Sequence, residues 1–501
     1  MEADARSSAR PAASAVAALV AGAVALAAFV GRAAAHDVSA SRFDAPLPFP
    51  LLLAGAAVTV LATAALLEGS GSVPTLDRRP GVRLPTRPTG ALRTAARGAF
   101  AVAVVAAVLD GILGPQVAAE NAATTFVWPV WLRGLATLAV LVGSVWPTLS
   151  PWLTAYELLC RLEGGPIAIL GEYPDRLAHW PATLGFVAGV GVVATLTVTP
   201  QSPRSTAGVV AGYAAAMLVG GVCFGREWFR RADVLAVLYR SFGRVAVLDE
   251  REGRQCESRR RERDRDDGGR HSNGPRVSLR FPWTGCTTPV ADASLAAFVV
   301  AAVYTVSFDG FTNTPEFQSL LFGTRRALGV GPVASVLLYV AGLLGFLVAF
   351  ACVAALADRL GRGTEPRHGA GSRSGATSWR GATLAFSPTV LPIAAAYEVA
   401  HNYPYVLGNL GRLATLSFRA GGVPVGPIEP LGWLPIEGFW ASQVLLVVVG
   451  HVVAVVAAHG VAVRRYGGGA GARRGHAPLL ALMVGYTVLS LWIVSRPVVS
   501  F

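Results

Sequence analysis

Ten apolar stretches separated by polar segments set what this chain can become. They run over 49–68, 98–113, 126–146, 181–199, 208–224, 292–307, 331–356, 384–407, 437–463 and 478–494. A helix of about 20 apolar residues crosses the hydrocarbon core of a bilayer, and most of the stretches are that long. The shortest, of 16 or 17 residues, need their flanks or a locally thinned bilayer. Inside lipid every backbone N–H and C=O must be satisfied within the protein, so segments of this length are helical. The expected fold is therefore all-α, a polytopic transmembrane helix bundle of about ten spans. Composition agrees: 15% of residues are charged and 53% hydrophobic, whereas a soluble domain carries roughly 25% charged residues. The lipid bilayer is the first partner the sequence implies.

The N-terminus has the pattern of a secretory signal. Arg6 and Arg10 precede an apolar run over 15–30, and Ala33, Ala34 and Ala35 form a small-residue cleavage site. Residues 1–35 are expected to be a cleaved signal peptide, leaving His36 as the mature N-terminus, or else a retained signal anchor that adds a span. The remainder divides into a first membrane half (36–249, five spans), a basic cytoplasmic loop lacking the apolar content to fold (250–285), and a second membrane half (286–501, five spans). A Gly-, Ser- and Arg-rich stretch at 361–381 is a second linker of that kind. Residues 152–169 are apolar but broken by Glu157, Arg161 and Glu163, which fits an interfacial or re-entrant helix better than a span.

The net charge is +13, and all 43 basic residues are Arg. A basic chain can hold nucleic acid, but the distribution of charge has a simpler reading. With the loop after the first span placed in the cytoplasm, the cytoplasmic loops hold 32 Arg and the opposite loops seven. Setting aside the long 226–289 loop leaves 17 against seven. This is the positive-inside bias of a multi-pass protein of the cell (plasma) membrane, and no nucleic-acid partner is expected. The five cysteines include no C-x-x-C pair. They fall in or near the cytoplasmic side and are expected to be free thiols.

Ionisable side chains inside spans are costly and mark either function or mutual pairing. Here they are Asp110, Arg133, Asp309, Glu398, His401, His451 and His459. Most fall in the outer half of the expected membrane. That points to a polar cavity open to the extracytoplasmic side, or to interhelical ion pairs such as Arg133 with Asp110 or Glu398. Glu398 and His401 stand three apart on one helix face, a spacing that lets a carboxylate and an imidazole bind one ion. His451 and His459 are eight apart, about 12 Å along a helix, too far to share a metal. His401 and His451, from different helices, could together hold a transition metal ion or a haem. A mature N-terminal His36 would offer its amine and imidazole to copper(II). P-loop, nucleophile-elbow and H-E-x-x-H motifs are absent.

Several stretches, in order, resemble one family. These are Ala35-His36 followed by Pro46-Leu47-Pro48-Phe49-Pro50; Val145-Trp146-Pro147-Thr148-Leu149-Ser150-Pro151-Trp152; Ser307-Phe308-Asp309-Gly310-Phe311; Pro392-Ile393-Ala394 with Tyr397, Ala400 and His401; and Gly450-His451-Val452 with Ala458-His459. Together they are similar to the fenitrothion hydrolase-like multi-pass bacterial membrane proteins. The resemblance spans nearly the whole chain and implies a membrane protein acting on organophosphate esters. Glu398 lies outside the family pattern, and Ser150 stands where Asn is expected.

Three functions remain open at this level. In a metal-assisted hydrolase, a metal on His401 and His451, with Glu398 or Asp309 as catalytic carboxylate, would activate water. In a transporter or metal-handling permease the same residues would line a pathway. In a homo- or hetero-oligomeric membrane complex the chain would be a non-catalytic subunit.

Overall fold

The structure, a computed structural model, describes residues 49–70, 82–83, 86–251, 276–362 and 379–495. The expected signal segment, His36 and most of the two linker stretches lie outside the described residues. Among the described residues ten helices are long and apolar enough to cross a membrane, as the ten apolar stretches predict. They are α1 (Phe49–Ser70), α2 (Thr86–Leu113), α3 (Ala122–Val142), α5 (Asp175–Ala194), α6 (Pro203–Phe224), α8 (Ala293–Thr312), α10 (Val333–Arg362), α11 (Trp379–Ala420), α12 (Ile436–Tyr466) and α13 (Ala470–Val494). Among the shorter helices between them are α4 (Pro151–Glu163), α7 (Val234–Phe242) and α9 (Pro315–Leu328). The protein is a multi-pass membrane protein built as an all-α bundle.

The surface shows which solvent the helices meet. On α10 the side chains of Leu337, Val340, Leu344 and Val348 are all exposed. Their spacing puts them on one helix face, an apolar stripe that only lipid tolerates. Val102, Val105, Leu109 and Ile112 make a similar stripe on α2. In α11 and α12, by contrast, 78% of the most apolar window is buried, against 17% in α2 and α10. The first pair is the centre of the bundle and the second its lipid-facing rim. α12 packs against α1, α11 and α13, so the first span closes onto the last two. Gly450 lets α12 approach α11: a Cβ there would overlap that of Ala396 and sit 2.8 Å from the carbonyl oxygen of Pro392.

The structure departs from the sequence reading at several helix ends. α13 begins at Ala470 and carries Pro478 inside it, where the apolar pattern starts only at Pro478. α11 continues through Pro404 to Ala420. Proline cannot donate to the carbonyl four residues earlier, here that of Ala400. The Gln443 side chain of α12 donates to that carbonyl at 3.3 Å instead, a repair that lets membrane helices keep a proline. The 13-residue α4, with Trp152, Leu153 and Tyr156 buried, is too short to span, as its broken apolar pattern suggests.

α7, nine residues long, was hidden within the loop after α6. It has Val234, Val237, Leu238, Tyr239 and Phe242 buried against α3, α5 and α11. A small antiparallel sheet also forms at the arginine-rich end, in the order β1 (Val82–Arg83), β3 (Arg276–Leu279), β2 (Leu248–Arg251). Leu248 pairs with Leu279, Arg251 with Arg276, and Val82 with Val277. β2 and β3 flank the mixed-charge segment in sequence, so residues 250–251 and 276–279 of the expected 250–285 linker belong to strands.

Candidate functional site

Arg133 organises the charges inside the bundle. It lies near the middle of α3, where Val127–Gly134 winds as a π-helix around Pro129. A π segment displaces carbonyls from the regular ladder. The Tyr239 hydroxyl of α7 donates to two of them, Trp131 at 3.0 Å and Leu132 at 3.3 Å. The widened turn aims Arg133 at two carboxylates. One guanidinium nitrogen donates to Glu398 Oε2 at 2.8 Å, and another to Asp309 Oδ2 at 3.2 Å.

The two carboxylates sit at different depths. Glu398 lies near the middle of α11 and its side chain is 2% exposed, while Asp309, three residues from the end of α8, is 22% exposed. Gly310 beside Asp309 is required by close approach, because a Cβ would overlap the Tyr397 hydroxyl. Glu398 Oε1 and the Tyr397 hydroxyl are buried with no hydrogen-bond partner among the described residues. Beside Arg133 and Glu398 is a cavity of about 10 Å³, closed by Phe186, Leu238, Phe242 and Thr305. That volume holds about one water. Where the sequence leads one to expect a polar cavity at the outer side, the structure has a one-water space beside Arg133 and Glu398, lined in part by the aromatic side chains of Phe186 and Phe242.

The other sequence candidates take separate places. Asp110 does not pair with Arg133. Its Oδ2 accepts from the Ala122 backbone N–H at 2.6 Å, capping the start of α3. The His401 ring stacks on Tyr397 with centroids 5.8 Å apart. His451, at the middle of α12, donates from Nδ1 to the Val447 carbonyl at 2.8 Å, which leaves Nε2 with the lone pair and no partner among the described residues. Its neighbour Tyr486 bonds to Ser307 and donates to the Val303 carbonyl at 2.7 Å. Among the described residues no group of three or more His, Cys, Asp or Glu side chains is gathered for a metal ion. Glu398 and Asp309 both pair with Arg133. His459 faces His476, a residue the sequence reading left outside the spans because α13 seemed to start at Pro478.

The sequence reading also missed a buried carboxylate, Asp233, at the start of α7. Its Oδ2 accepts from the indole N–H groups of Trp146 at 2.9 Å and Trp152 at 2.8 Å. Its Oδ1 accepts from the Tyr213 hydroxyl at 2.8 Å and from the backbone N–H groups of Leu235 and Ala236. Burial pushes the Asp233 carboxyl above its ordinary range, and the donors pull the other way. The two tryptophans of the Trp-Pro-Thr-Leu-Ser-Pro-Trp motif therefore serve one acceptor, and the motif is a clamp that holds α7 under the site. At the arginine-rich end Asp358 binds Arg465 and Arg362, and Glu157 binds Arg97 and Arg226. The four described cysteines, Cys160, Cys223, Cys286 and Cys352, are free.

Comparison with protein-family models, with curated proteins and with solved structures found no match.

Proposed function

We propose that the protein is a cation-coupled membrane transporter in which Glu398 takes up the coupling proton. One observation carries this reading: a single guanidinium at mid-span faces two carboxylates, and Glu398 Oε1 is left without a partner beside a one-water cavity. Two carboxylates and one guanidinium sum to one negative charge. In a low-dielectric bundle an uncompensated charge is expensive, and capture of one monovalent cation neutralises it. A proton is the cation that fits beside an unpaired carboxylate oxygen in so small a space. Protonation removes the charge holding Glu398 to Arg133, and Arg133 keeps Asp309 as its partner.

The helices that carry the pair suit such a switch. α3 has its π segment around Arg133, and α11 carries Pro404 inside the helix six residues after Glu398. Interrupted helices at the depth of buried charges are the usual setting for ion and substrate sites in transporters. Asp309, the more exposed carboxylate, gives the proton its route from the arginine-poor end to Glu398.

The test is proton flux in proteoliposomes carrying an internal pH-sensitive dye, under an imposed pH gradient with the membrane potential clamped. Wild-type protein is expected to acidify the lumen faster than protein-free vesicles, and Glu398→Gln to abolish the difference. Equal flux through wild type and Glu398→Gln would overturn the proposal. So would phosphotriester turnover by the wild type that disappears in His401→Ala and His451→Ala, with no flux; that result is what the family resemblance implies for a hydrolase.

A further inference from the structure

A second polar cluster lies away from the Arg133 site. His459 is seven residues from the arginine-rich end of α12, and His476 is six residues into α13 from the same end. The two rings face each other with centroids 5.4 Å apart and planes at 69°. His459 is 2% exposed and His476 is 0% exposed. All four ring nitrogens are buried with no hydrogen-bond partner among the described residues. A single orphaned buried nitrogen needs an explanation. Each neutral ring carries one lone pair, so two lone pairs in contact and without a donor point to a missing ligand that accepts them.

We propose that His459 and His476 form a binding site for one divalent transition metal ion. Two imidazoles on one tetrahedral ion, with metal–nitrogen bonds of about 2.0–2.1 Å, place their ring centroids about 5 Å apart, which matches the observed spacing. Imidazole nitrogens suit zinc, cobalt, nickel and copper and discriminate against magnesium and calcium. Glu68, near the end of α1, is the charged side chain that acts on His459. It supplies negative potential for a dication between α1, α12 and α13, helices that pack on one another. With two protein ligands the remaining positions are left to water or a transient ligand, so the site binds reversibly. The inference is independent of the proton-coupling reading, because none of its residues touches Arg133, Glu398 or Asp309.

The test uses full-length, tag-free protein in detergent, titrated with Cu(II) and with Co(II). Wild type is expected to bind one extra equivalent relative to His476→Gln. Its Cu(II) electron paramagnetic resonance spectrum should show coupling to two imidazole nitrogens. Outer-shell changes alone cost about 10–100-fold in metal affinity, so His459→Gln and His476→Gln should each lower affinity by at least about tenfold. His451→Gln should leave it unchanged. The wild-type spectrum needs no variant to fold. Absence of two-nitrogen coupling in it would overturn the site, and so would stoichiometry and affinity that survive both substitutions.

Discussion

Replacing Arg133 by Met should destabilise the protein in a way that fades as the pH falls. The substitution keeps most of the side-chain volume and removes the one positive charge from a cluster with two carboxylates. Glu398 is 2% exposed and would lose its 2.8 Å partner. Removing one member of a buried pair typically costs about 3–5 kcal/mol, because the other charge is left unpaired. The alternative open to Glu398 is to take up a proton. At pH 7, holding neutral a carboxyl whose ordinary value is about 4.3 costs about 3.7 kcal/mol, so this route caps the penalty. Asp309 is 22% exposed, and water reaches it, so its share is at most about 1 kcal/mol. The sum is about 4 kcal/mol at pH 7. The main part should shrink by about 1.4 kcal/mol for each pH unit down, because protons become easier to capture. Unfolding in mixed micelles titrated with dodecyl sulfate, followed by tryptophan fluorescence at pH 7 and pH 5, measures both numbers. The double variant Arg133→Met, Glu398→Gln should recover most of the loss. A penalty under about 1 kcal/mol at pH 7, or one of equal size at both pH values, would refute the reasoning.

Asp233→Ala should cost at least about 3 kcal/mol, since several donors including two indoles lose a buried charged acceptor; the same unfolding assay reads it, and a shift in tryptophan emission should accompany it. Gly450→Val forces a side chain into Ala396 and the Pro392 carbonyl and should cost about 1–3 kcal/mol or more by overpacking α11 against α12, visible as a lower Tm in detergent. Desolvation opposes ionisation of Asp292, but hydrogen bonds from Ser294, the Leu295 N–H and the His179 ring hold its carboxyl below the ordinary range. Its contribution is therefore present above about pH 4 and is lost as pH falls through the lowered value. Asp292→Ala should flatten the acid limb of a stability–pH profile and lower stability at pH 7 by about 1 kcal/mol, the worth of a helix cap.

The spans were legible because lipid imposes a simple rule, about 20 apolar residues each, and the chain obeys it ten times. Helix ends were less legible. Pro478 looks like a boundary but lies inside α13, and α11 runs past Pro404 and beyond the expected end at 407 to Ala420. What allows this is a partner from a neighbouring helix, such as Gln443 beneath Pro404, which no single stretch of sequence displays. Arg133, Asp309 and Glu398 stood out in the sequence as charges too costly to leave in lipid. Their union in one cluster depends on how α3, α8 and α11 pack. Asp233 was missed for the opposite reason: it lies in an arginine-rich connection where an acid is unremarkable, ahead of a nine-residue helix too short to read as membrane-embedded. The apolar, evenly spaced Val234, Val237 and Leu238 behind an Asp N-cap were the available signal. His476 was hidden by the misplaced start of α13.

The claim on which the account rests is that a buried carboxylate, Glu398, exchanges a proton within the lipid-embedded bundle. Infrared difference spectroscopy of the protein in lipid, stepped between alkaline and acidic pH, reads this directly. A protonated-carboxyl C=O band that appears on acidification in wild type and is missing in Glu398→Gln, with the Asp309→Asn variant retaining it, is the predicted result. A wild-type band that persists undiminished in Glu398→Gln would contradict it.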